Sequence, residues 1–122
     1  MRGVVEYQAV GAISASNREL VVMLFEAAVR HQRAAQEAFR AGKGNEGRER
    51  LRKTREIFAE LLAALDHEAA PQLTGNLTRL YVWAIARISR AGFDRDADVL
   101  EGSIRVTRTL RDGWAEAFRG QQ

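Results

Sequence analysis

Two histidines, four serines and no cysteine are the side chains from which metal or nucleophilic chemistry would have to be built. Di-metal helical bundles place a Glu three residues before each ligand His. Here Ala28 and Ala64 occupy the positions three before His31 and His67. Without Cys there is no disulfide and no thiolate ligand, so neither metal nor cofactor is expected. Ser14, Ser16, Ser89 and Ser103 have no His nearby in sequence, and a triad could assemble only in space. No Gly-rich phosphate loop follows a strand. Carboxylates sit three or four residues from cations or from one another, as Glu49 from Lys53 or Glu56 from Glu60, which is the pattern of a solvated helix surface. His31 falls on an apolar helix stripe and reads as a hydrogen-bonded core residue. The expectation is a protein without enzymatic chemistry.

The elements that would position side chains are helical. The chain has 122 residues, 46% hydrophobic and 29% charged, which fits one core and leaves no room for a second. Twenty Ala and one Pro favour helix over sheet. The longest apolar run, 20–25, is far short of the roughly 20 residues a bilayer span needs, so no membrane insertion is expected. The start of the chain lacks the long apolar core and cleavage site of a secretory signal, which points to the cytoplasm. The net charge is +3, and seventeen of the nineteen cations are Arg. A basic helical nucleic-acid-binding module is therefore the alternative function. Its one dense run, Arg48, Arg50, Arg52, Lys53 and Arg55, is turned around its helix and interrupted by Glu49. A phosphate-tracking face would need concentration on one side, so no nucleic-acid partner is expected.

Ser16 followed by Glu19 has the form of a capping box and predicts a first helix over 16–41, stopped by Gly42. A second is predicted over 46–65. Pro71 suits a first helical turn and opens a third, ending near 91 with Gly92 as its stop. A fourth, capped by Asp94 or Asp96, reaches about 118. Four long helices with short links predict an all-α, antiparallel up-down four-helix bundle over 16–118, with a lead-in over 1–15 and a tail over 119–122.

At about 100° per residue the second helix buries one stripe: Leu51, Thr54, Ile57, Phe58, Leu61 and Leu65. The first helix has more than it needs. Leu20, Leu24, Ala28, His31, Ala35 and Ala38 form a core stripe, and Val22, Phe25 and Val29 form another, with Val21 between. Either the lead-in or a second neighbour covers the surplus, or it is a docking surface. In the third helix Leu73, Leu77, Leu80, Tyr81, Ala84 and Ile88 face one way. Val82 points away, and Asn76 and Trp83 share a third side. The fourth carries Leu100, Ser103, Thr107, Leu110, Trp114 and Ala117, beside a smooth stripe of Gly102, Val106, Thr109 and Gly113. That stripe is either close packing inside the bundle or a shallow groove for a partner helix.

The sequence resembles the FliS family of flagellin export chaperones. The resemblance runs from Tyr7 to Phe118. Its carriers are Tyr7-Gln8, the stretch from Ala15-Ser16 through Phe25-Glu26, Asn76-Leu77-Thr78-Arg79-Leu80-Tyr81, and Leu110-Arg111-Asp112-Gly113-Trp114. Asn17 stands where the family usually has Pro, and Phe25-Glu26-Ala27 where it has Tyr-Asp-Gly. Val82 replaces a typically acidic residue, and Trp83 keeps an aromatic. The resemblance implies a chaperone without enzymatic activity. It would bind the disordered C-terminal region of flagellin, which forms helices on the bundle's apolar surfaces. It would block premature polymerisation in the cytoplasm and present the client to the flagellar export gate. The lead-in, with Val5, Tyr7, Val10 and Ile13, would cover the client groove until displaced. The expected client contacts are Tyr7, Ile13, Val22, Phe25, Val29, Asn76, Leu77, Leu80, Tyr81, Val82, Trp83, Gly102, Val106 and Gly113.

Overall fold

The computed structural model describes residues 11–120. After one 3₁₀ turn, Ala15–Asn17, come four helices: α1 (Arg18–Arg40), α2 (Gly44–Ala63), α3 (Pro71–Asp94) and α4 (Leu100–Arg119). They pack in the cyclic order of the chain, as the up-down all-α bundle expected. The α1–α2 seam is the most extensive and the α3–α4 seam the sparsest. Among the described residues no helix is long and apolar enough to cross a membrane.

Helix boundaries follow from local chemistry, not always as the sequence suggests. Gly42 adopts φ +75°. The Lys43 N–H then reaches the Ala38 carbonyl (2.8 Å) and the Gly42 N–H the Phe39 carbonyl (3.1 Å), which is the Schellman closure. Pro71 opens α3 as expected. Gly92, expected to stop α3, lies buried inside it, where a Cβ would sit 3.5 Å from Leu51. The stop is Arg95, left-handed at φ 52°, with the Asp96 N–H bonded back to the Ala91 carbonyl (3.0 Å). The capping box does not form. The chain enters α1 through the 3₁₀ turn, where the Ser14 carbonyl takes the Asn17 N–H (2.9 Å); Ser16 Oγ instead lies 3.3 Å from Ser14 Oγ. Nor does Asp94 or Asp96 cap α4. Asp96 closes its own turn by accepting the Asp98 N–H (2.9 Å), and α4 starts at Leu100. Helix α2 begins before the expected 46, and a Cβ at Gly47 would collide with the Phe39 ring of α1.

At the centre of the core is Tyr81. Its ring meets Phe25 of α1 and Phe58 of α2 edge-on, with centroids 6.0 Å away in each case, the arrangement aromatic quadrupoles favour. Its hydroxyl accepts the Trp114 Nε1–H of α4 (3.3 Å). Burial pushes the Tyr81 phenol up to about 12, so it stays neutral. One residue thus ties all four helices together. Ile13 pairs in an antiparallel bridge with Leu65, and the Asp66 N–H bonds the Ala12 carbonyl (2.8 Å). Ala12 and Ile13 are thereby part of the core.

The register of α1 differs from expectation. Its buried face is Val21, Phe25, Ala28, Gln32, Ala35, Gln36 and Ala38, so Ala28, Ala35 and Ala38 are buried as expected, whereas Leu20 is 48% exposed. Two glutamines sit in that face because α4 satisfies them. Gln32 Nε2 donates to Thr107 Oγ1 (3.1 Å), and Gln32 Oε1 accepts from Ser103 Oγ (2.6 Å). Gln36 Nε2 donates to the Ala97 carbonyl and to Glu101 Oε1 (3.1 Å each). Arg33 Nη1 donates to Gln36 Oε1 and Glu101 Oε1 (2.9 Å each). A buried amide is tolerated only when paired in this way.

Candidate interaction surface

The expected contact residues separate into three groups. Ile13, Phe25, Leu77 and Tyr81 lie in the core cluster. Phe25 is therefore not part of a second stripe, because its ring is wholly enclosed against Tyr81. Tyr7, with Val5 and Val10, lies outside the described residues. The remaining residues are half-buried or exposed and fall on distinct flanks.

Known contacts fix which flank faces which helix. On α4, Glu101, Ser103 and Thr107 bond α1, whereas Trp114 bonds α3. Rotation of about 100° per residue then places Gly102, Val106 and Gly113 on the α3 side. On α3, Gly92 meets Leu51 of α2, which places Asn76, Leu80 and Trp83 on the α4 side and Val82 towards α2. These two sets are the lips of the sparse α3–α4 seam. On α1, His31 meets Arg50 of α2 (3.2 Å), so Val22 and Val29 lie on the α4 side, both half-buried.

The α3–α4 lips form a shallow apolar strip. Trp83 is 37% exposed and Val82, on the far flank, 52%. Among the described residues, Leu80 and Val106 are half-buried without belonging to the core cluster. Nothing among the described residues lies within 4 Å of a Cβ built on Gly102 or Gly113. Close packing among the four helices therefore does not account for these glycines, and among the described residues the smooth stripe is open. Such a strip suits a helix laid along it. Leu20 and Met23 of α1 and Phe93 at the end of α3 add exposed apolar surface that the sequence pattern missed. Reading α1 from Val21 instead of Leu20 would have identified the first two.

Polar features elsewhere are surface features. The described concavities include one of about 390 Å³ lined by Phe39, Arg40 and residues 94–98. Another, of about 290 Å³, lies between α1 and α4 around Arg33, Glu101 and Arg108. Both are walled mainly by charged side chains. His31 is half-buried at the α1–α2 seam rather than in the core. Burial, then the charges of Arg50, Lys53 and Arg30, hold its imidazole below the ordinary value of 6.5. His67 Nδ1 lies 2.9 Å from Thr74 Oγ1. Among the described residues no group of His, Asp and Glu could hold a metal ion. Within the basic run, Arg52 bridges Glu49 (2.7 Å) and Glu56 (2.5 Å), and Arg50 is turned to His31.

Comparison with known proteins gives this surface its context. The family model for flagellar protein FliS matches residues 2–121. The flagellar secretion chaperone FliS of Escherichia coli (strain K12) is 32% identical over 111 residues, covering 87% of this chain and 79% of that protein. Its namesake in Campylobacter jejuni (serotype O:6, strain 81116) is 30% identical over 110 residues, covering 87% and 83%. That of Vibrio cholerae serotype O1 is 28% identical over 101 residues, covering 83% and 74%. With the match spanning every helix of the bundle, the chain belongs to the FliS family of flagellar secretion chaperones.

Proposed function

We propose that this protein binds the C-terminal region of flagellin in the cytoplasm, keeps it from polymerising prematurely and delivers it to the flagellar export gate. The client's helices lie with their apolar faces on the open α3–α4 strip, and a further segment continues over the exposed side chains of α1. The observation that carries this reading is the smooth stripe of Gly102, Val106 and Gly113 on the side of Leu80 and Trp83, where no described residue comes within 4 Å of a Cβ built on either glycine. A client that orders on binding must bury of order 1,000–3,000 Å² to offset its ordering cost. At about 25 cal/mol per Å² that demands a long wrapped contact, which a strip running the length of two helices supports.

The test is a calorimetric titration of the chain with the C-terminal segment of flagellin from the same organism. A 1:1 complex is expected, lost in Val106→Asp and weakened in Val82→Asp, with helical content unchanged in both. Phe25→Asp is not a binding probe: it would place a charge among enclosed rings and unfold the bundle. No complex, or a complex indifferent to Val106→Asp, would refute the reading.

A further inference from the structure

The two lips of the α3–α4 strip differ in charge. Helix α3 carries Arg79, Arg87 and Arg90, all exposed, and its one carboxylate is Asp94 at the last residue. Rotation of about 100° per residue puts these arginines on one stripe with Trp83. Arg90 Nε is bridged to Asp94 (2.8 Å). Arg87 has its guanidinium 5.5 Å from the centroid of the Trp83 ring, a cation–π geometry. Arg79 donates to the Asn76 side-chain carbonyl. Among the described residues, neither Arg79 nor Arg87 has a carboxylate partner. The facing stripe on α4, Gly102, Val106, Thr109 and Gly113, is uncharged. The strip is therefore apolar along its floor and cationic along the α3 edge.

Stacking on Trp83 holds Arg87 beside the apolar surface instead of letting it swing into water, and the Asn76 bond does the same for Arg79. Arginine held in this way presents a planar fork of donors suited to a carboxylate. The two lie eight residues apart, about 12 Å along the helix axis. A helix laid alongside α3 has the same rise, so groups two turns apart on it match that spacing.

We infer that the segment seated on this strip is an acidic amphipathic helix, with carboxylates two turns apart on the edge facing α3, paired with Arg79 and Arg87. This rests on the docking reading above and adds the chemistry and orientation of the client. An electrostatic contact at the edge of an interface shows itself in its dependence on salt.

The experiment titrates the same flagellin C-terminal segment into three proteins: the unmodified chain, Arg79→Glu/Arg87→Glu, and Val106→Asp. Each is measured at low salt and at about 0.5 M, where the Debye length shrinks to a few ångström. The double reversal is expected to weaken binding about ten-fold or more at low salt. The difference should collapse at high salt, with the circular dichroism spectrum unchanged. If the double reversal leaves affinity and salt dependence untouched while Val106→Asp still abolishes binding, the strip is the docking site but its charge is idle, and the inference is overturned. If Val106→Asp also leaves binding intact, the docking reading falls and takes the inference with it. A free chain that dimerises until Arg79→Glu/Arg87→Glu makes it monomeric would show that a second copy occupies the strip, which also overturns it.

Discussion

Replacing Gly102 and Gly113 together by Ala should stabilise the free bundle and weaken its hold on the client. Glycine in a helix interior costs roughly 0.8–1.0 kcal/mol relative to Ala. Gly113 lies well inside α4, where that cost applies in full, and Gly102 lies in the first turn, where it is smaller. A Cβ at either site would meet no described atom within 4 Å, so no steric strain offsets the gain. The double variant should therefore gain about 1–2 kcal/mol. At about 2.1 cal/mol/K per residue, a chain of 122 residues has an unfolding entropy near 0.26 kcal/mol/K, and Tm should rise by about 4–8 °C. The same two methyl groups would stand in the path of a helix lying flat on α4. The assay pairs thermal unfolding of the free protein with calorimetric titration of the flagellin segment. An unchanged or lower Tm would mean that the two glycines are not on open helical surface. A higher Tm with undiminished affinity would mean that the client does not use the smooth stripe, and the reasoning from helix cost to docking would fail.

The α1–α4 amide ladder should behave as a coupled unit. Gln32→Leu alone leaves the buried Ser103 hydroxyl without its acceptor and should cost about 1–3 kcal/mol in urea unfolding. Adding Ser103→Ala should recover much of that loss, whereas additive losses would show the two are not coupled. His31 should make the bundle less stable in mild acid. Its folded-state value is depressed, so the neutral ring is favoured by folding. That contribution is complete above the ordinary value of 6.5 and is lost as pH falls below 6.5 through the folded-state value. His31→Gln should flatten this part of the stability–pH curve, and an unaltered curve would remove His31 from the account.

The bundle was legible from the sequence because its punctuation is chemical: Gly42 has a left-handed backbone and Pro71 has no N–H to lose. The α2 stripe from Leu51 to Leu61 was legible because one face is apolar and the others charged. The register of α1 was not. Leu20 is larger than Val21 and opens an apolar series through Leu24, so hydrophobicity alone starts the stripe one residue early, and Gln32 and Gln36 look like surface residues. They are buried because Ser103, Thr107 and Glu101 answer them from α4, a pairing across some seventy residues that periodicity cannot see. The true stop of α3 escaped for a similar reason. Gly92 serves the approach of Leu51, and Arg95 accepts the left-handed conformation at a cost of about 1–2 kcal/mol. Of the candidate surface, the glycine stripe and Trp83 were legible from spacing. Phe25 was misplaced with the α1 register.

The amide ladder bears on a hazard peculiar to a carrier of helices. A cargo that folds into amphipathic helices resembles the carrier's own parts, and a seam held only by greasy contacts would accept an intruder in place of α4. Against α1, a foreign helix lacking two hydroxyls and a carboxylate at the matching heights would strip Gln32 of Ser103 and Thr107 and Gln36 of Glu101. Each buried group left unpaired costs about 1–3 kcal/mol. Under the proposed function, the ladder would serve as a password between α1 and α4, keeping a guest helix on the outside of the bundle, from which it could be handed on without dismantling its host.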